Sequence, residues 1–155
     1  MSSKRNSKLV SALHRAVRLF IAGSSLYGQR VADKLGLHAT DMQFLNLLDL
    51  LGPMTPGNLA QCSGLSSGGV TVVLDRLEKA GYVRRANHPQ DRRSVVVSLV
   101  AAKQKRLAAN YDAAHSQFEA IVAELSEEEL AAVLKFFQAA SATRPQGPRG
   151  AVNRP

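Results

Sequence analysis

The chain has 155 residues, a length that suits one domain with an appended helical part, and 45% of them are hydrophobic, enough to fill a core. Twenty Lys and Arg against twelve Asp and Glu give a net charge of +8, which favours nucleic acid or an anionic membrane surface as partner. Cys62 is the only cysteine, which excludes an internal disulfide, and the apolar stretches are too interrupted for a signal peptide or a membrane span, so we expect a soluble cytoplasmic protein.

The first part of the chain predicts two helices. Residues 1–8 are basic and lack an apolar pattern, so we expect a short disordered arm there. Apolar residues then recur at steps of three and four from Leu9 to Leu35, the spacing of one face of a long helix. Thr40 and Gln43 have the spacing of a capping box and predict a second helix, which Gly52 ends.

A short helix, a tight turn and a further helix follow. Thr55 and Pro56 are the residue types preferred at the N-cap and first position of a helix. Gly64 predicts the turn, and Ser66 is the next N-cap. Gly81 predicts the end of the helix that begins there.

Two strands and two more helices complete the chain. Residues 82–85 and the β-branched run 94–100 predict a hairpin whose long charged tip spans residues 86–93. A single long helix is expected over residues 101–125, and a capping box of Ser126 with Glu129 predicts the last one. Residues 142–155 are rich in Pro, Gly and Arg, so we expect a disordered tail.

The order of helix, short helix, tight turn, helix and basic hairpin is typical of a winged helix-turn-helix. In that motif the second helix enters the major groove of DNA, which is wide enough to accept it. Small residues and hydroxyls occupy the polar side of the predicted helix, where they allow close approach to bases and phosphates. The predicted contacts are Ser66, Ser67, Gly68, Gly69, Thr71 and Val72.

Positive charge is concentrated in the same region. Residues 66–106 hold nine basic and three acidic residues, whereas residues 119–129 hold five Glu and no base. Localised positive charge is what phosphate binding requires. The predicted DNA-contacting cations are Arg76, Arg84, Arg85, Arg92 and Arg93, with Asp91 beside them. Two alternatives stay open: Arg76 could pair with a neighbouring helix, and the arginines of the hairpin could be solvated charges.

These residues resemble a known signature. The runs Leu74–Arg85, Asp91–Arg93 and Val95–Leu99 resemble the recognition helix and wing of the MarR family of transcription regulators. Leu59-Ala60 and Gly64-Leu65-Ser66 resemble its preceding helix and turn. The chain departs from the family in one respect, because members often carry a basic residue at the position of Val72.

The resemblance implies a mainly α fold with a small β-hairpin wing. The domain would span residues 9–141, with its DNA-binding part at about 40–100 and dimerisation helices at about 9–35 and 101–141. The protein would then be a homodimeric, sequence-specific regulator on a near-palindromic operator in double-stranded DNA. We expect a repressor, and an activator is the alternative that the sequence leaves open. In the wing, Asp91 would orient Arg93 into the minor groove.

The resemblance also implies a pocket for a small aromatic or anionic effector, where the long helices meet the DNA-binding part. Four side chains are candidates for lining it: His14, Tyr27, Tyr111 and His115. Packing in the core or at a dimer interface is the alternative role for each of them.

Other functions have less support in the sequence. The high charge keeps a non-specific, architectural DNA-binding protein as the alternative. No catalytic triad, metal or cofactor fingerprint occurs, so we expect no enzyme, no metal and no cofactor. The Gly-rich run 64–69 lacks the Lys of a phosphate-binding loop. Cys62 lies near the C-terminal end of a short predicted helix and has no resolving partner, so we expect it to be inert rather than a redox sensor.

Overall fold

The computed structural model describes residues 2–88 and 91–142, without the side chains of residues 2–6, 88, 91–93, 106, 113 and 142. The described part is mainly helical, with one two-stranded antiparallel sheet. Its elements in chain order are α1 (Ser2–Leu35), α2 (Ala39–Leu51), α3 (Pro56–Ser63), α4 (Ser67–Lys79), β1 (Val83–His88), β2 (Asp91–Leu99), α5 (Ala101–Ala109), α6 (Asp112–Val122) and α7 (Glu127–Ala142). The described residues divide into two compact units, the first ending at Met42 and the second beginning at Gln43.

Helix α1 begins at Ser2, well before the expected start at Leu9. The segment expected to be disordered therefore continues the helix. Residues 2–8 contain no Gly or Pro, and adding residues to an existing helix needs no new nucleus. At the other end, Gly36 has a φ of 68°, the left-handed conformation that closes a helix.

The start of α2 differs from the expected capping box. The helix begins at Ala39, and the backbone amide of His38 donates to Oδ2 of the buried Asp41 at 3.0 Å. The expected pair of Thr40 and Gln43 was wrong by two positions, because an Asp in the first turn accepts the free amide more strongly than a neutral side chain.

The short helix α3 has the caps that the sequence predicts. Thr55 Oγ1 accepts from the backbone amide of Asn58 at 3.2 Å, and Pro56 occupies the first helical position. Gly64 ends the helix with a φ of 72°, a conformation that costs a residue with a Cβ about 1 kcal/mol or more. The tight turn between α3 and α4 is thereby confirmed.

The hairpin is longer than the sequence predicted. Its strands pair from Val83 opposite Leu99 to Asn87 opposite Val95, and a register shift follows before His88 pairs with Asp91. Most of the expected charged tip thus belongs to the ladder, since each added pair satisfies further backbone groups. Residues 89 and 90 lie outside the described residues.

The segment before α3 also joins the sheet. The backbone amide of Met54 donates to the carbonyl of Val97 at 3.0 Å, and the amide of Val97 donates back at 2.8 Å. Helix α3 packs against α4 and β2, and α4 packs against β1. The apolar core of this unit consists of Phe44, Leu45, Leu48, Met54, Leu59, Val70, Val73, Leu74, Leu77, Tyr82, Val83, Val97 and Leu107.

The helix expected over residues 101–125 is divided into α5 and α6, so the expectation of one continuous helix was wrong. At the break, the amides of Asn110 and Tyr111 donate to carbonyls three residues back, those of Leu107 and Ala108, at 3.0 and 2.8 Å. Asn is a poor residue for a helix interior, and the Tyr111 hydroxyl lies 3.4 Å from the side-chain amide of Asn46 on α2.

Helix α7 begins at the predicted capping box. Ser126 Oγ accepts from the amide of Glu129 at 3.3 Å, and Glu129 Oε2 accepts from the amide of Ser126 at 2.9 Å. The predicted tail lies outside the described residues apart from its first position. No helix in the described part of the chain has the length and apolar character needed to cross a membrane.

Candidate nucleic-acid interface

Helix α4 has one buried side and one exposed side. Val70, Val73, Leu74 and Leu77 are buried, which fixes the helix on the core. Positions that lie a half-turn away from these residues therefore face solvent. The exposed positions of the helix are Ser67, Gly68, Thr71, Val72, Asp75 and Lys79.

The N-terminal end of α4 is capped by the residue that the sequence predicted. Ser66 has an extended backbone, and its Oγ accepts from the amide of Gly69 at 3.2 Å. Thr71 Oγ1 donates to the carbonyl of Ser67, one turn back, at 3.0 Å. A Cβ placed on Gly68 would have no atom within 4 Å, so the surface at this position of the helix is open.

The C-terminal end of α4 turns the chain directly into β1. The amide of Gly81 donates to the carbonyl of Glu78, and that of Tyr82 to Leu77, both at 2.9 Å. Gly81 has a φ of 73° and Tyr82 is buried, the arrangement of a Schellman motif with its apolar contact. The wing therefore begins at a fixed direction from the helix.

Arg85 on β1 is bound by two carboxylates of α4. Its Nη2 lies 2.6 Å from Asp75 Oδ1, and its Nη1 lies 2.7 Å from Glu78 Oε2. Burial lowers the pKa of Arg85, but the hydrogen bond with Asp75 and the charges of both carboxylates outweigh it and raise the pKa above its ordinary value. The charge of Arg85 is thus compensated inside the protein, and contact of Arg85 with DNA stays a prediction.

The other predicted cations lie in different settings. Arg84 is exposed, and its Nε donates to Ser98 Oγ across the hairpin at 3.2 Å. Arg76 is half-buried on α4. The side chains of Asp91, Arg92 and Arg93, at the far end of the wing, lie outside the described residues.

Two lysines that are not among the predicted DNA contacts add positive charge near the end of α4. Lys79 is exposed on the same side of α4 as Val72. Lys103 Nζ lies 4.9 Å from the centroid of the Tyr82 ring, within range of a cation–π contact. The sequence showed both charges, but the contact of Lys103 depends on the turn at Gly81, whose Cβ position lies 3.9 Å from Lys103 Cε.

The four candidate ligand-binding side chains are divided between the two compact units. On α1, His14 is exposed and Tyr27 is half-buried, with the Arg30 guanidinium 5.9 Å from its ring centroid. Tyr111 is half-buried, and the exposed His115 has Nε2 3.7 Å from Glu119 Oε1. Their role as ligand contacts stays a prediction.

The described residues offer few groups for metal binding or thiol chemistry. They contain no group of three His, Cys, Asp or Glu side chains that could hold a metal ion. Cys62 is a half-buried free thiol on α3.

A helix with an open, hydroxyl-bearing start, joined through a fixed turn to a β-hairpin, defines the winged helix class of DNA-binding proteins. Comparison with known sequences narrows the class. The MarR family profile matches residues 37–95. The chain is 40% identical over 138 residues to the HTH-type transcriptional regulator YcgE of Bacillus subtilis, covering 86% of this chain and 88% of that one. It is 37% identical over 100 residues to YfiV of the same organism, covering 64% and 62%.

Solved structures share the fold. The transcriptional regulator Tm0710 of Thermotoga maritima is similar with a TM-score of 0.63 and 22% identity, over 85% of this chain and 93% of that one. The ligand-free MarR of E. coli is similar with a TM-score of 0.59 and 20% identity, over 83% and 95%. The chain belongs to the MarR family and is a DNA-binding transcriptional regulator.

Proposed function

We propose that this regulator is a homodimeric repressor that reads a near-palindromic operator with α4 and its wing, and that a small ligand releases it. The observation that carries the proposal is the exposed start of α4, where Ser67 and Gly68 face solvent while the opposite side of the helix is buried. A helix held in this way presents its first turns to base edges. Because chromosomal DNA is the partner, the proposed compartment is the cytoplasm.

The apolar surface of the terminal helices supports the homodimer. Large apolar side chains rarely stay exposed in such numbers on a monomer. On α1 they are Leu9, Val10, Leu13, Leu19, Phe20, Ile21 and Leu26, and on α6 and α7 they are Phe118, Ile121, Val133, Leu134, Phe136 and Phe137. A second copy of the chain, with the same apolar helices, would cover them in a two-fold interface.

The two-fold interface supports the form of the operator. Two α4 helices related by a two-fold axis reach successive major grooves when their half-sites are about 10 base pairs apart, or a multiple of that. A relative supports the role of repressor, and a solved structure supports binding to operator DNA. YetL of Bacillus subtilis, 29% identical over 76 residues, is named a transcriptional repressor, and a mutant MarR of E. coli with a TM-score of 0.57 was solved with operator DNA.

Ligand release rests on groups beside the break between α5 and α6. Tyr111 offers a hydroxyl and a ring there, and its hydroxyl lies 3.4 Å from Asn46 on the core helix α2. A phenolic or anionic molecule that binds at this point would replace the contact between Tyr111 and Asn46 with contacts of its own. It would release DNA only to the extent that it binds more tightly to a dimer whose α4 helices no longer match the groove spacing.

Selection of bound DNA from a random pool tests for an operator. Light scattering of the eluting protein measures its mass and so tests for the dimer. A dimer mass and an enriched inverted repeat are expected. A monomer mass, or equal affinity for selected and random DNA at fixed salt, would overturn the proposal, and the second result would favour an architectural protein.

Aromatic acids that release the selected DNA from the protein but not from an Asn46→Ala variant would support the ligand step. If no such compound acts on either protein, that step fails.

A further inference from the structure

The exposed start of α4 carries no cationic side chain. Across residues 66–75, all described by the structure, the only charged residue is Asp75, and Arg85 binds its carboxylate at 2.6 Å. Guanine is read most often by the paired donors of Arg or Lys on its O6 and N7 atoms. This part of the helix therefore lacks the side chains that usually select guanine.

The hydroxyl groups nearby are partly committed to the helix itself. Ser66 Oγ already accepts from the amide of Gly69, and the Thr71 hydroxyl donates its proton to the carbonyl of Ser67. Thr71 therefore offers a base an acceptor but no donor. Reading by hydrogen bonds is restricted in this segment of the helix.

Val72 is the largest side chain on the exposed side of the first turns. It is 61% exposed and lies one turn from Gly68, which has no side chain and no neighbour within 4 Å of its Cβ position. An exposed valine costs a helix some stability relative to Ala, because its branched side chain loses freedom against the preceding turn. Its two methyl groups are accordingly rigid and point to solvent in the free protein.

We propose that Val72 is a specificity-determining residue that packs against the C5-methyl group of a thymine in each half-site. This inference rests on the proposed function, since it needs α4 in the major groove. Thymine is the one base of DNA that carries a methyl group there, and small apolar side chains are its matching contact. The missing side chain at Gly68 lets the helix approach closely enough for this contact.

The test removes the methyl group without touching the protein. In the operator selected from a random pool, each thymine is replaced in turn by deoxyuridine, which differs from thymine only in lacking the C5-methyl. Both half-sites are changed together. One symmetric pair of replacements should weaken binding about fifteenfold, since burial of one methyl group accounts for about fourfold in each half-site and the two factors multiply. The remaining replacements should have little effect.

A Val72→Ala variant completes the test. It removes the two methyl groups from an exposed position and should fold normally. It should bind the thymine operator more weakly and lose the difference between thymine and deoxyuridine at the sensitive pair, which is the coupling that a direct contact produces. Leu50→Ala is the matched control, because it also removes an exposed apolar side chain, 75% exposed, from a different helix, α2. It should keep the full difference.

A second arm keeps the methyl group and changes the base. At the sensitive pair, 5-methylcytosine should restore part of the binding that unmodified cytosine loses. The outcomes separate the two proposals. If selection enriches no sequence, the proposed function fails and this inference falls with it. If a sequence is enriched but no deoxyuridine replacement weakens binding, or Val72→Ala remains as sensitive as the original protein, the operator stands and the role of Val72 is overturned.

Discussion

Glu78 binds Arg85 with both of its carboxylate oxygens. Oε2 accepts from the guanidinium at 2.7 Å, and Oε1 accepts from the backbone amide of the same arginine at 3.1 Å. Asp75 holds the other side of that guanidinium. The recognition helix α4 and the first strand of the wing are therefore joined by side chains as well as by the turn at Gly81, and the angle between them is fixed before DNA binds.

Glu78→Ala should loosen this link. The side chains of Arg85 and Glu78 are 28% and 39% exposed, so solvent screens part of the ion pair. We expect a loss of about 1 kcal/mol in the free energy of unfolding. That loss corresponds to a melting temperature about 2–4 °C lower, measured by circular dichroism, together with weaker operator binding. Glu124→Ala, at an exposed position between α6 and α7, should change neither, and an unchanged Glu78→Ala protein would show that the link is not needed.

Arg93→Ala should weaken DNA binding without unfolding the protein. A wing-tip arginine in the minor groove or on a phosphate contributes roughly 1–3 kcal/mol to binding. Asp91→Ala should lose part of the same energy, because Arg93 would no longer be oriented. Fluorescence anisotropy with operator DNA measures both, and Lys135→Ala on the exposed α7 is the control. Equal affinity in these variants and in the original protein would show that Asp91 and Arg93 do not contribute to DNA binding.

Phe20→Glu should convert the dimer to a monomer. Phe20 is 62% exposed in the single chain, and the proposed interface would bury it with Leu9 and Leu13, which lie on the same side of α1. A buried, unpaired carboxylate is strongly unfavourable. Arg18→Glu places a carboxylate on the opposite side of the helix and should leave the dimer intact. Sedimentation velocity distinguishes the two, and a dimeric Phe20→Glu protein would place the interface elsewhere.

The stability of the first turn of α7 should depend on pH only in the acid range. The backbone amide of Ser126, and then its hydroxyl, hold the pKa of Glu129 below its ordinary value. A lowered pKa in the folded protein means that the cap stabilises the helix above the ordinary carboxyl pKa and is lost as pH falls through the folded value. Carboxyl chemical shifts should show the lowered pKa moving towards normal in Ser126→Ala but not in Ser116→Ala. The shift should be partial, because Ser126→Ala keeps the backbone amide. An identical titration in both variants would show that the Ser126 hydroxyl does not contribute to the lowered pKa.

The caps were predictable from the sequence because each one uses residues a few positions apart. Thr55 and Ser66 bond to amides three residues away, as their types and spacing indicated. Gly64 and Gly81 adopt the left-handed conformations expected at helix ends. The same local logic misplaced the start of α2, where a neighbouring acidic residue, Asp41, was the stronger competitor.

Contacts between distant residues were not predictable in the same way. The break before α6 accompanies a contact between Tyr111 and Asn46, which are 65 positions apart. Arg85 was predicted as a DNA contact from its charge and its place in the hairpin, but its binding to Asp75 and Glu78 depends on how the turn brings β1 back along α4. The partner of a strand side chain is set by that packing and not by residue type.

The reciprocal backbone bonds between Met54 and Val97 join the wing to the residues just before α3. Both residues are buried, with 2% and 0% exposure, so neither amide can reach water while the three segments stay together. Their amide protons should therefore exchange with deuterium slowly and with similar protection relative to the unfolded chain, since one opening event frees both. The amide protons near the far end of the hairpin should exchange sooner. Deuterium uptake at Met54 and Val97 thus reports how often the wing separates from the segment before α3.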